Sequence, residues 1–155
     1  MTDLRQVFDD VVRFETLLWN SVDQRLQDEC GITLGTLNLM LVIERTPRCR
    51  ALDIAQALAI TVGGASQAVD RLEASERCVR QANPDDRRSS FLELTTQGQE
   101  LTRLAEPVFD AELERLLRDP LAPAALATLA RDLGTLRRSA ETTAADPVVA
   151  ASSGR

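Results

Sequence analysis

The run Thr61-Val62-Gly63-Gly64-Ala65-Ser66-Gln67-Ala68-Val69-Asp70-Arg71-Leu72-Glu73 decides how this chain is read. At helical spacing Ala65, Val69, Leu72 and, less squarely, Ala68 share one side, while Gly63, Gln67, Asp70 and Ala74 lie opposite. One face packs and the other looks outward. Thr61 is placed to cap this helix by offering its hydroxyl to an orphan backbone N–H. Upstream, Ile54-Ala55-Gln56-Ala57-Leu58 reads as a short amphipathic helix, so the pair forms a helix, a turn and a helix.

Beyond the second helix the pattern changes. Cys78-Val79-Arg80-Gln81-Ala82 and Phe91-Leu92-Glu93-Leu94 have strand-like composition, and the residues between them, Asn83-Pro84-Asp85-Asp86-Arg87-Arg88-Ser89-Ser90, are rich in turn formers. The expectation is a hairpin with a charged tip. A helix restarts at Thr95 or Thr96, where Thr96-Gln97-Gly98-Gln99 has the spacing of a capping box. A helix-turn-helix followed at once by an arginine-tipped hairpin is a winged helix, which puts one helix in the major groove of DNA and a wing beside it.

Four motifs in order, Ile54-Ala55-x-x-Leu58, Val69-Asp70-Arg71-Leu72-Glu73, Asn83-Pro84-Asp85-Asp86-Arg87-Arg88 and Leu94-Thr95-x-x-Gly98, resemble the MarR family of bacterial transcriptional regulators. They cover the middle third of the chain, and flanking helices extend the resemblance to about Ala140. The resemblance implies a mainly α fold with a small β-hairpin wing: a winged helix-turn-helix flanked by long N- and C-terminal dimerisation helices. It also implies that Arg88 enters the minor groove with Asp86 orienting it and Arg87 as a second cation for phosphate. Glu76 and Arg77 stand where most relatives have a glycine and an apolar residue, and Val62 and Gln67 stand where many have a base.

The second helix would offer Thr61, Gly63, Gly64, Ser66, Gln67 and Arg71 to the major groove. Glutamine pairs bidentately with adenine, serine bonds to bases or phosphates, and glycine lets backbone N–H groups come close to a phosphate at a helix N-terminus. Two consecutive glycines in a first turn cost about 1 kcal/mol each relative to alanine, a cost that DNA contact would justify. Arg48 and Arg50, with Arg45, would supply backbone contacts from upstream.

The net charge of −6 looks unsuited to DNA until it is divided. Residues 1–44 carry 3 Arg against 8 acids, residues 45–98 carry 8 against 7, and residues 99–155 carry 7 against 9, so the middle segment alone is not acidic, at +1 beside −5 and −2. Placement matters more than the total, because DNA meets local arginine clusters. There is no Lys, His or Tyr. The missing histidine and scattered carboxylates suggest no metal cluster or catalytic triad, so neither an enzyme nor a cofactor is expected. Cys30, Cys49 and Cys78 form no C-x-x-C pair, and buried inert thiols in a reducing compartment are the expected reading. No apolar run is long enough for a membrane span and the N-terminus lacks a basic leader, so the expected setting is cytoplasmic.

Around the reading head at 45–98, the sequence divides into N-terminal helices at 1–44, C-terminal helices at 99–142 and a disordered tail at 143–155. Leu4, Val7, Phe8, Val11, Val12, Leu18, Val22 and Leu26 recur at helical spacing as far as Cys30, and Gly31 ends that helix. Thr33 to Glu44 makes a more apolar helix with Leu34, Leu37, Met40, Leu41 and Ile43 inside, stopped by Pro47. Thr96 to Arg118 is long and expected to kink at Pro107, with Leu101, Leu104, Val108, Leu113, Leu116 and Leu117 available for burial. After a break at residues 119–123, Leu126, Leu129, Leu133 and Leu136 form a stripe from Ala124 to about Glu141. These terminal stripes have little local core to absorb them, and in the MarR family such helices interlock between two chains.

The expectation is therefore a homodimeric repressor that binds a palindromic operator in double-stranded DNA and is released by a small ligand. The alternative is a winged-helix protein-interaction module that lacks specific DNA binding. In the family, aromatic acids and other amphipathic molecules bind between the dimer helices and the reading head. Arg13, Phe14, Leu17, Trp19 and Met40 are the candidates for such a pocket, although core packing accounts better for the four apolar ones.

Overall fold

The computed structural model describes residues 1–86 and 88–145. They fall into two units, which divide between Leu113 and Glu114. Helix α1 (Leu4–Cys30) opens the first, with the Asp3 carboxylate accepting the Arg5 N–H at 2.9 Å. Gly31 closes it at φ 66°, a left-handed conformation that glycine adopts without a Cβ clash. The stripe read from the sequence behaves differently along its length. Val22 and Leu26 are buried, whereas Leu4, Val7, Phe8, Val11, Val12, Phe14 and Leu17 face solvent in the single chain, Phe8 at 70% exposure.

Helix α2 (Leu34–Arg45) is capped by Thr33, whose hydroxyl accepts the Thr36 N–H at 3.1 Å. Its Leu34, Leu37, Leu39, Met40, Leu41 and Ile43 are all buried, and it is the central post against which α1 and the reading head pack. Helix α3 (Ala51–Ala57) begins three residues before the stretch expected from its apolar pattern, because Asp53 turns back to accept the Arg50 N–H at 2.8 Å. Helix α4 (Val62–Ala74) is capped by Thr61 and buries Ala65, Val69 and Leu72, the face expected to pack. Strands β1 (Cys78–Ala82) and β2 (Ser90–Leu94) pair antiparallel, with Cys78 opposite Leu94 and Arg80 opposite Leu92. The core joins α1, α2, α3, α4, the hairpin and Ala105 into one cluster.

Helix α5 (Thr96–Leu113) is capped one residue earlier than the capping-box spacing suggests: Thr95 Oγ1 accepts the Gly98 N–H at 3.0 Å and donates to the Glu76 carbonyl at 2.7 Å. The buried residues of α5 are Gly98, Thr102, Ala105 and Glu112, while Leu104 is 54% exposed and Leu101, Val108 and Leu113 are half-buried. Leu104 thus lies outside the buried face that the sequence offered it to. Glu112 is held by Ser21 at 2.6 Å and by Arg25 at 2.9 Å, which explains a buried carboxylate that a count of apolar positions passes over.

In the second unit, Glu114–Arg118 forms a π-helical turn rather than continuing as α-helix, with the Asp119 N–H reaching the Glu114 carbonyl at 2.9 Å. Helix α6 (Pro123–Ala145) starts with proline at its first position, where no N–H is missed. It runs to Ala145, so Thr143 belongs to a helix and not to the tail assigned from composition. Residues 146–155, the rest of that tail, lie outside the described residues. Leu126 and Leu129 of its stripe are half-buried, and Leu133 and Leu136 are exposed.

Candidate nucleic-acid interface

Three features set the outward face of α4. Thr61 Oγ1 accepts the Gly64 N–H at 3.0 Å, which fixes the first turn. A Cβ on Gly64 would lie 3.1 Å from that hydroxyl, so the cap itself leaves little room there. A Cβ on Gly63 would meet nothing within 4 Å, and Gly63 is exposed. The protein's own packing thus places no demand on a glycine at position 63. Gln67 and Arg71 are exposed on the same helix, and Ser66 is half-buried.

The hairpin is joined to α4 through Ser75-Glu76-Arg77, where Glu76 takes φ 59°. The left-handed turn is made here by a residue that bears a Cβ, at a cost of roughly 1–2 kcal/mol. Thr95 holds the bend from the other side: its hydroxyl donates to the Glu76 carbonyl, and its N–H donates to the Arg77 carbonyl at 3.1 Å. Gly98 packs directly onto that carbonyl, with room for no side chain.

The tip of the wing is organised by Asn83, which is buried. Its amide donates to Ser89 Oγ at 2.8 Å and its carbonyl oxygen accepts the Asp85 N–H at 3.0 Å. Asp86 accepts the backbone N–H of Arg88 at 2.9 Å, so it shapes the turn that carries Arg88. Arg87 lies outside the described residues. Arg48 stacks over the Phe91 ring at 4.4 Å from its centroid and pairs with Asp85 at 3.2 Å. Arg50 is 3.6 Å from Asp53, and Arg45 is 2.9 Å from Glu106. The upstream arginines are therefore engaged within the protein. In contrast, no carboxylate of the described residues pairs with the guanidinium of Arg71 or Arg88.

A cleft of about 430 Å³ gathers Arg50, Ser66 and Arg88 with Arg80, Ser89 and Ser90. Arg80, a strand residue by its sequence, donates to Asp70 at 2.6 Å and also to Glu73. The Asp70 hydrogen bond is the main cause of an Arg80 pKa above its ordinary value. Its signal in the sequence was the alternation that sets Arg80 on the same strand face as Cys78.

A second cavity, about 660 Å³, lies behind α4 and is bounded by Trp19, Leu39, Leu58, Ile60, Arg71 and Arg77 among others. The Nε of Arg77 is buried without a hydrogen-bond partner. Of the five residues singled out for a ligand, Trp19 stands on this cavity's wall. Met40 is fully buried in the core, Arg13 pairs with Asp9 at 2.8 Å on the surface, and Phe14 and Leu17 are exposed along α1. Among the described residues no cluster of His, Cys, Asp or Glu could hold a metal ion, and no helix is long and apolar enough to cross a membrane.

A capped helix with an open, glycine-bearing N-terminal turn beside a two-stranded wing defines a winged-helix protein. Residues 32–90 match the MarR family model, and the chain carries a MarR-family domain. Among solved structures it is similar to Sco3205, a MarR family transcriptional regulator from Streptomyces coelicolor in complex with DNA, at 26% identity over 87% of this chain and 86% of that one, with a TM-score of 0.81. It is also similar to AbsC, a MarR family transcriptional regulator from the same organism, at 25% identity over 92% and 97% of the two chains, with a TM-score of 0.83. A mutant MarR from E. coli complexed with operator DNA shares the fold at 20% identity over 87% and 99%, with a TM-score of 0.72. No curated protein matches the chain in sequence.

Proposed function

We propose that this protein is a DNA-binding transcriptional regulator that acts in the cytoplasm as a homodimer, represses from a palindromic operator, and is released by a small anionic ligand. The observation that carries the reading is that two arginines have no carboxylate partner among the described residues: Arg88 on the wing, which shares a cleft with Val62 and Ser66 at the start of α4, and Arg71 in the last turn of that helix. Cations left unneutralised in an acidic chain suit a polyanion. The likeness to Sco3205, whose structure contains DNA, supports the same partner here. Dimerisation is supported by the exposed apolar stripe of α1, from Leu4 to Leu17, and by Leu133 and Leu136 of α6, since patches of this kind on a soluble chain mark an interface.

The cavity behind α4 is the proposed ligand site. Trp19 offers a ring face, Leu39, Leu58 and Ile60 an apolar wall, and Arg71 and Arg77 a counter-charge for a carboxylate. Because Gly64, Ala68, Arg71 and Leu72 of α4 bound it, a ligand there would engage the reading helix directly.

Dimer symmetry gives the test. Two helices related by a two-fold axis read inverted half-sites centred about one helical turn, ~10 bp, apart. Inserting about five base pairs puts one half-site on the far face of the duplex. Binding to a genomically selected palindrome should collapse on that insertion at near-physiological salt. Equal affinity for both duplexes would instead indicate diffuse attraction to phosphate and favour an interaction module.

A further inference from the structure

Arg80 sits at the centre of β1, on the strand face it shares with buried Cys78, and this alternation carries its side chain toward α4. There the guanidinium forks between Asp70, at 2.6 Å, and Glu73. These two carboxylates are three residues apart on the helix and therefore neighbours on its surface. They make the only side-chain hydrogen bonds between α4 and the hairpin among the described residues. The covalent link between the two elements is short and bends at Glu76 in a left-handed conformation. Arg80 also bounds the cleft that holds Ser66 on one side and Arg88 on the other.

We propose that Arg80 is a positioning residue for DNA recognition, which acts through Asp70 and Glu73 to fix the wing against the reading helix and so sets the reach from Ser66 and Gln67 to Arg88. The inference rests on the DNA-binding reading above. A planar fork can hold two carboxylates at once, and a lysine ammonium, as a point charge on a flexible stem, cannot reproduce that geometry. Arg80 is thus used on the protein rather than on phosphate.

A mutant cycle in the full-length protein tests this, with affinity measured on the selected palindrome and folding checked by thermal melting. Arg80→Gln should weaken binding about tenfold, or about 1.4 kcal/mol. In the Asp70→Asn/Glu73→Gln background the same substitution should cost nothing further, since the groups it acts through are gone. Arg80→Lys, which keeps the charge, should still lose severalfold. An equal loss in both backgrounds would make Arg80 a direct phosphate contact, and full binding by Arg80→Lys would reduce its role to charge; either overturns the proposal. Hydrogen exchange of the free protein gives an independent reading: the Arg77 and Thr95 amides, bonded to Leu72 and Arg77 carbonyls at 3.1 Å each, should exchange faster in Arg80→Lys. Unchanged exchange there would refute the clamp even if the parent bound no DNA, whereas failure of the parent to bind would refute only the regulator reading.

Discussion

Replacing Gly63 by alanine should push stability and DNA affinity in opposite directions. Gly63 is the second residue of α4, exposed, with nothing within 4 Å of the position a Cβ would take. Alanine is favoured over glycine inside a helix by roughly 0.5–1 kcal/mol, and no steric penalty offsets that here. In a chain of this size such a gain raises the melting midpoint by about 1–4 °C. The Gly63 N–H has no acceptor within the helix, because the first four amides of any helix lack one and the Thr61 hydroxyl serves Gly64. A phosphate approaching that amide would form a charge-assisted bond worth about 1.5–3 kcal/mol, and a methyl group on the same turn would hold it off. Two half-sites per dimer make a tenfold loss of affinity, about 1.4 kcal/mol, a conservative expectation. Differential scanning calorimetry and fluorescence anisotropy on the selected duplex measure the two effects. A variant that is more stable and binds as tightly as the parent would show that DNA does not approach this turn. A less stable variant would show that the open space is not open.

Gly98→Ala should act through stability instead: its Cβ would stand 3.0 Å from the Arg77 carbonyl carbon and closer still to the oxygen, so the Arg77 backbone must shift and weaken the Thr95–Arg77 hydrogen bond. Overpacking of about 1–3 kcal/mol exceeds the helix-propensity gain of about 1 kcal/mol, and a urea midpoint at or above the parent's would refute the close contact. Arg88→Ala, which removes one cation from each wing of the dimer, should weaken binding to all sequences and lower the slope of log affinity against log salt by about 2, whereas a base-reading role would leave the slope unchanged and alter one position of each half-site. Burial pushes the Cys49 thiol up to about 11 and raises that of Cys78 as well. Their protonated forms therefore contribute stability that is complete below the unfolded thiol pKa and is lost as pH rises toward 11. With no Lys or Tyr in the chain, the side chains titrating in that window are the thiols, so Cys49→Ala/Cys78→Ala should flatten the decline of the urea midpoint between pH 9 and 11.

Much of the fold was legible because local chemistry fixed it. Asp3, Thr33 and Thr61 accept the cap bonds, Gly31 supplies the positive φ, and the alternation around Cys78 and Leu92 sets the strand faces. The displaced cap at Thr95 shows where this reasoning thins: adjacent threonines are equivalent in sequence, and the carbonyls of Glu76 and Arg77, brought in from nineteen and eighteen residues away, decide between them. The outward residues of α4 could be named because helical periodicity separates faces. The partners of Arg48 and Arg80 could not, since each pairing joins the hairpin to a segment outside it. A cavity is harder still, because it belongs to no single element. Trp19 of α1 and Arg77 of the link after α4 border one void although 58 residues separate them, whereas Met40, which shares Trp19's apolar character, turns into the core.

The Leu92 N–H donates to the Cys49 carbonyl at 2.8 Å, so the segment leading into α3 occupies the middle of β2's outer edge. A two-stranded hairpin in isolation would present two edges to any extended peptide. Here one is interrupted by the protein's own backbone, and the other, β1, is five residues long with Arg80 at its centre. Short length and an edge charge both discourage strand addition. The wing can therefore stand out from the body of the protein without seeding intermolecular sheets, and a variant that frees the Leu92 edge would trade solubility before it altered recognition.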